Sequence, residues 1–293
     1  MSRLRNVLCG AAVALVGFTP ASGQDGEAAS AIARGDIAWA QRGEGQNAGR
    51  AAAAPIAAAV AAYEEALAAD PKSLDARARL LRALWFQGDY ATADNSGKQK
   101  IFERGKAVSE QGIDQLAAGA GGRKAFDDLE PARQALGVKA DPGAPVIFFW
   151  SAVHWGLWGD AFGKFAAARQ GVAGKIRDRC LVVLALDERL ENGGGHRVLG
   201  RLHAVAPHIP FITGWIDHDF AIAELRNAIA ISPHDPLNQQ FLAEALLEHG
   251  NAQEQAEGKT MLRAIVGAEA STAQVTEWAF AKAVARELLA PRP

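Results

Sequence analysis

Two cysteines, two tyrosines and two methionines in 293 residues, no long apolar run and no strong excess of charge describe this chain by what it lacks. Two cysteines cannot build a disulfide scaffold. A net charge of −2 and a pI near 6.4 argue against nucleic-acid binding, which calls for a basic stripe. No period-two alternation of strand length survives a pass along the chain, so β structure should be negligible. The enzymatic signatures are missing as well. There is no H-E-x-x-H, C-x-x-C, G-x-S-x-G or S-x-x-K, and Gly258-Lys259-Thr260 has Gln253 where a P-loop needs its first glycine. His196 and His203 share a helix face but stand two turns, about 10 Å, apart. No catalytic residue, metal or cofactor is expected.

What the chain has in quantity is alanine, 63 residues of it. Alanine is the best helix former, and 49% apolar with 22% charged residues is an ordinary globular composition. The reading is all-α.

The first residues look like an address. Arg3 and Arg5 precede an apolar stretch from Val7 to Phe18, followed by Thr19-Pro20-Ala21-Ser22-Gly23. This is a signal-peptide pattern with cleavage expected near Gly23, and the apolar part is too short to span a bilayer. Cys9 lies at the start of that stretch, where a lipoprotein cysteine would follow it, so it makes a poor lipobox. No other segment is apolar enough to cross a membrane, which predicts an exported, periplasmic protein with 24–293 as a single domain. Cys180 falls in an apolar helical run and should be a small core residue.

A repeat is visible in the spacing. Ala59, Tyr63, Ala66 and Pro71 follow the second half of a tetratricopeptide repeat, and the pattern returns 162 residues later as Ala221, Leu225, Ala228 and Pro233. Beyond the prolines Leu80, Ala83, Leu84 and Gly88 map to Leu242, Ala245, Leu246 and Gly250 at the same offset. Helices are expected near 27–43, 52–69, 73–87, 91–117, 125–136, 143–158, 160–168, 175–190, 196–206, 218–231, 235–249, 252–266 and 272–289. Gly88, Gly159 and Gly250 are expected as left-handed glycines in tight turns between paired helices. The architecture is then a right-handed array of antiparallel helix hairpins, a tetratricopeptide-repeat-like solenoid with an irregular middle. Its repeat-like hairpins lie near 52–117 and 218–266, and stacking would leave a concave surface.

Two places stand out chemically. Trp150, His154 and Trp158 follow one another at spacing four, with Trp155 between them. Such a stripe is either core or the aromatic wall of a groove, with His154 as its polar handle. The second is Glu191-Asn192-Gly193-Gly194-Gly195-His196-Arg197. Its glycine amides open a helix, where an anion is favoured; alternatively it is a corner whose Arg197 pairs with Glu188 or Glu191.

The stretch from Ala144 through Asp160, the Gly193-Gly194-x-x-Arg197-x-Leu199-Gly200 corner and the repeat from Asp219 to Pro233 occur in this order. Together they resemble the T-component (TatT-like) family associated with TRAP transporters, periplasmic helical-repeat proteins of bacteria. The likeness covers roughly residues 55–255. It implies a non-catalytic accessory protein that binds the extracytoplasmic solute-binding protein of a TRAP-type importer. A homotrimer, and a groove or pore for a small apolar or organic-acid ligand, are implied with it. Trp150, His154, Trp155 and Trp158, with Gly194, His196 and Arg197 at the corner, are the ligand- or partner-binding set this points to. On that reading, replacing Arg197 weakens binding more than stability. Many members carry a lipid anchor, and the missing lipobox is a departure. The competing reading is a general scaffold for protein–protein interaction in the cell envelope.

Overall fold

A computed structural model describes residues 23–290. The expected signal peptide, apart from Gly23, lies outside the described residues. Fourteen α-helices run in order among them: α1 Gly23–Ala40, α2 Ala53–Ala69, α3 Leu74–Phe86, α4 Asn95–Ala118, α5 Arg123–Asp127, α6 Pro131–Val138, α7 Ala144–Phe162, α8 Lys164–Arg169, α9 Val172–Leu186, α10 Leu190–Val205, α11 His218–Ile231, α12 Pro236–His249, α13 Ala252–Gly267 and α14 Val275–Leu289. There is no strand among the described residues, only an isolated bridge between Asn47 and Arg50. No helix among them is long and apolar enough to cross a membrane.

Local chemistry starts these helices where the sequence places its caps. Ser73, Asp94, Asp217 and Asp235 each accept a backbone N–H of the first turn, and Asn251 with Glu254 closes a reciprocal capping box. Consecutive helices then pack as neighbours, α1 on α2, α2 on α3, α10 on α11, α11 on α12 and α12 on α13, which makes the molecule an array of helix hairpins. The two repeat copies are buried alike. Ala59, Tyr63, Ala66, Ala83 and Leu84 are fully buried, and so are Ala221, Leu225, Ala228 and Leu246. In the irregular middle α7 is the hub, packed against α3, α4, α9 and α10. Cys180 lies in its core, where burial pushes the thiol pKa well up and leaves it inert.

Three glycines behave differently from expectation, since none of Gly88, Gly159 and Gly250 has a positive φ. Gly88 sits in a π turn, Gln87–Ala91, that prolongs α3; a Cβ there would lie 2.2 Å from the Phe102 ring. Gly159 is inside α7, which continues to Phe162, and Gly250 has an extended backbone. Neighbouring atoms approach Gly88 and Gly250 closely, whereas a Cβ at Gly159 would meet only ordinary contacts at 3.4 Å. The left-handed stop falls at Gly163 instead, with φ 91°. The helix expected over 125–136 is two, α5 and α6. Pro131 lacks the N–H that a continuous helix would need and opens α6.

The array also closes on itself. The segment between α1 and α2 crosses to α14, where Arg42 donates to the Ala273 carbonyl and to Glu277. Gly49, at φ 84°, lies so close to α14 that a Cβ would stand 2.6 Å from the backbone nitrogen of Phe280. Phe280 in turn meets Tyr90 edge to face, with ring centroids 5.4 Å apart.

Candidate functional site

The aromatic face of α7 divides into two environments. Toward its C-terminal end, Trp155 donates from Nε1 to Glu110 at 2.6 Å and Trp158 donates to Glu103, both acceptors on α4. Lys175 lies 3.8 Å over the Trp155 ring and Lys106 4.5 Å over Trp158. Burial pushes the Glu110 carboxyl up, but Arg179, Trp155 and Arg123 outweigh it and hold the group below its usual range. Both indoles are thus taken up in a polar seam between α4, α7 and α9.

His154 is fully buried one turn earlier. Its Nε2 donates to the Leu81 carbonyl at 2.9 Å, which fixes the neutral tautomer, and Nδ1 faces Gly105. Burial pulls the imidazole pKa down to about 4. The unfolded chain therefore takes up this proton first as pH falls, so stability is lost from about pH 6.5 down to about 4. Relative to a His154→Gln variant, the wild type is expected to lose about 3 kcal/mol between about pH 7 and 4 in urea unfolding. A difference independent of pH would mean that the charged ring is accommodated in the fold.

The glycine corner is a sharp turn at the start of α10. Glu191, Asn192 and Gly193 are all left-handed, with φ 48°, 62° and 79°. Two non-glycine residues in that region store strain, which the surrounding bonds must hold. Arg197, 7% exposed, donates from Nη1 to the Glu191 carbonyl at 3.2 Å and to Asn238 Oδ1 at 2.9 Å, and lies 3.8 Å from Asp235. Asn238 donates back to the Asn192 carbonyl, and Asn192 donates to Asp235. The arginine partners are therefore Asn238, Asp235 and a main-chain oxygen, and not the carboxylates of Glu188 or Glu191. Gly194 is buried where a Cβ would stand 2.5 Å from the Phe149 ring, so its absent side chain lets α10 approach α7. His196 pairs through Nδ1 with Glu224 at 2.8 Å.

One groove brings the two motifs together. Trp150 from α7 and Glu191 from the corner both line a cavity of about 480 Å³ between α3 and the start of α7. Leu74, Ala78, Val146 and Trp150 are its apolar walls, and Asp75, Arg79, Arg82, Asp141 and Glu191 bring charge. Arg79 is already neutralised by Asp75 and Asp36. Arg82 has no carboxylate within ion-pair distance among the described residues; its guanidinium lies 4.3 Å over Trp39 and its Nε is buried without a partner. The Glu191 carboxyl likewise has no hydrogen-bond partner there. Burial pushes it up, with Arg82 and Arg197 pulling the other way. The volume lies within the range of small-molecule sites, though the lining is richer in charge than their usual build. His154, Trp155, Trp158, Gly194, His196 and Arg197 stand outside this lining. Arg79 and Arg82 escaped the sequence reading because α3 is rich in arginine throughout and nothing in its spacing singles them out. Among the described residues no three His, Cys, Asp or Glu side chains gather as a metal site requires.

Compared with protein-family models and with curated proteins, the chain matches none.

Proposed function

We propose that this protein is a non-catalytic periplasmic accessory protein of a TRAP-type importer, taking a small organic solute in the α3–α7 groove and binding the solute-binding protein on its outside. One observation carries the reading. The aromatic helix contributes Trp150 to the cavity, and Glu191, two residues ahead of the glycine motif, joins it there. Arg197 serves that cavity from behind, through its bond to the Glu191 carbonyl. The loop between α10 and α11 offers a partner an apolar contact, with Phe211 and Ile212 standing exposed.

Native mass spectrometry of the protein, purified gently from its own cell envelope, tests this. A complex with a solute-binding protein, or a trimer retaining a small molecule, is the expected result. A bare monomer in every preparation overturns the accessory role in favour of a general envelope scaffold.

A further inference from the structure

We infer that the groove is built for a small zwitterion with an apolar body, its carboxylate at Arg82, its ammonium at Glu191 and its apolar part on Trp150. The inference rests on the groove being the solute site of the function proposed above, and it specifies which solutes fit.

The charges left over in the cavity decide the chemistry. Arg79 is held by two aspartates and Asp141 accepts the Gly143 N–H at the start of α7, which leaves Arg82 and Glu191 as the charged side chains of the lining with no hydrogen-bond or ion-pair partner among the described residues. They feel each other, since Arg82 is the strongest favourable charge acting on Glu191, yet they form no ion pair. A partly buried carboxylate and a guanidinium with a buried unbonded Nε are each costly unless something pairs with them. A purely apolar ligand would desolvate both charges and satisfy neither. A simple organic acid would satisfy Arg82 and leave its own negative charge close to Glu191, whereas a simple amine would do the reverse. Only a ligand carrying both charges, set a short distance apart, satisfies the pair. The strained backbone at Glu191 has the same reading: the left-handed turn is held in place by Arg197 and Asn238, and it delivers this carboxylate to the groove wall. Trp150, Val146 and Ala78 then select an apolar side chain of modest size.

The test is calorimetric titration of the protein with L-phenylalanine, L-leucine and L-valine. 3-Phenylpropionate, which lacks the ammonium, and phenethylamine, which lacks the carboxylate, serve as single-charge analogues. At least one amino acid is expected to bind about tenfold or more tightly than either analogue, because each analogue leaves one protein charge unpaired. Glu191→Gln is expected to weaken the amino acid about tenfold and to spare 3-phenylpropionate; Arg82→Gln should spare phenethylamine instead. Circular dichroism and thermal unfolding establish that both variants fold, and Trp150→Leu gives an independent loss of affinity without touching either charge. If 3-phenylpropionate binds as tightly as the amino acids, the zwitterion is overturned while a solute-binding accessory role stands. If no amino acid binds at millimolar concentration, the zwitterion is likewise overturned. The accessory role itself is overturned separately, by a bare monomer in every native mass-spectrometry preparation.

Discussion

Arg197→Ala is expected to destabilise the protein by about 3–5 kcal/mol, the cost of removing one member of a buried charged network. The change leaves Asn238 Oδ1 without its arginine donor and the Asp235 carboxylate without its nearby cation, in a site from which water is largely excluded. It also releases the Glu191 carbonyl, so two strained non-glycine residues lose the bond that holds them left-handed. Arg197→Lys should recover only part of the loss, because an ammonium cannot reproduce the spread of the guanidinium donors. Urea unfolding of the three proteins decides this. The resemblance had implied that this arginine matters to binding before stability, and the geometry predicts the opposite order. An Ala variant as stable as wild type, with ligand binding lost, would return Arg197 to the site.

Gly49→Ala should cost about 2–4 kcal/mol and open the contact between the two ends of the array. Two effects add. An alanine at φ 84° is strained by about 1 kcal/mol, and its Cβ would overlap the main chain of Phe280, which no side-chain rotation relieves. Gly122→Ala is a control without the clash, since Gly122 also has a positive φ, 91°, and no atom within 4 Å of the added carbon. It should show the backbone cost alone. Hydrogen exchange locates the damage: amides of 42–50 and α14 should lose protection in the Gly49 variant, with α7 unaffected. Equal costs for the two variants would show that the Phe280 contact contributes nothing.

The repeat was legible because its signal is steric. Ala59, Ala66, Ala221 and Ala228 must be small for paired helices to approach, and that demand writes a spacing into the sequence. Helix spans followed from the same source, and in the structure Asp217, Asp235 and Asn251 cap the starts of α11, α12 and α13. Glycine was ambiguous because two different demands select it. At Gly88 the demand is room for the Phe102 ring, where a turn was expected, and the spacing does not distinguish the two. Pro131 was a readable break that the 125–136 helix passed over. The candidate site was half legible. Trp150 and the glycine corner drew attention by composition, whereas Arg79 and Arg82 come from α3 and join them only through the packing of α3 on α7. His154 shows the limit from the other side, since its spacing matches a groove-facing residue and its ring is sealed against Leu81 and Gly105.

The meeting of the two ends has a consequence for the order in which the protein is made. Arg42 and Glu277 are separated by 235 positions, so the partner of this loop is synthesised long after it. Until the chain from Ala273 through α14 emerges, Tyr90 lacks Phe280 against it, and Arg42 has only the local Trp39 carbonyl as an acceptor. The hairpins between can form from local contacts as they appear, which is fast, but closure is a long-range event and comes late. A chain that stalls or is cut before α14 is then a folded array with an open seam, sticky at Tyr90 and ready to take the corresponding helix of another copy.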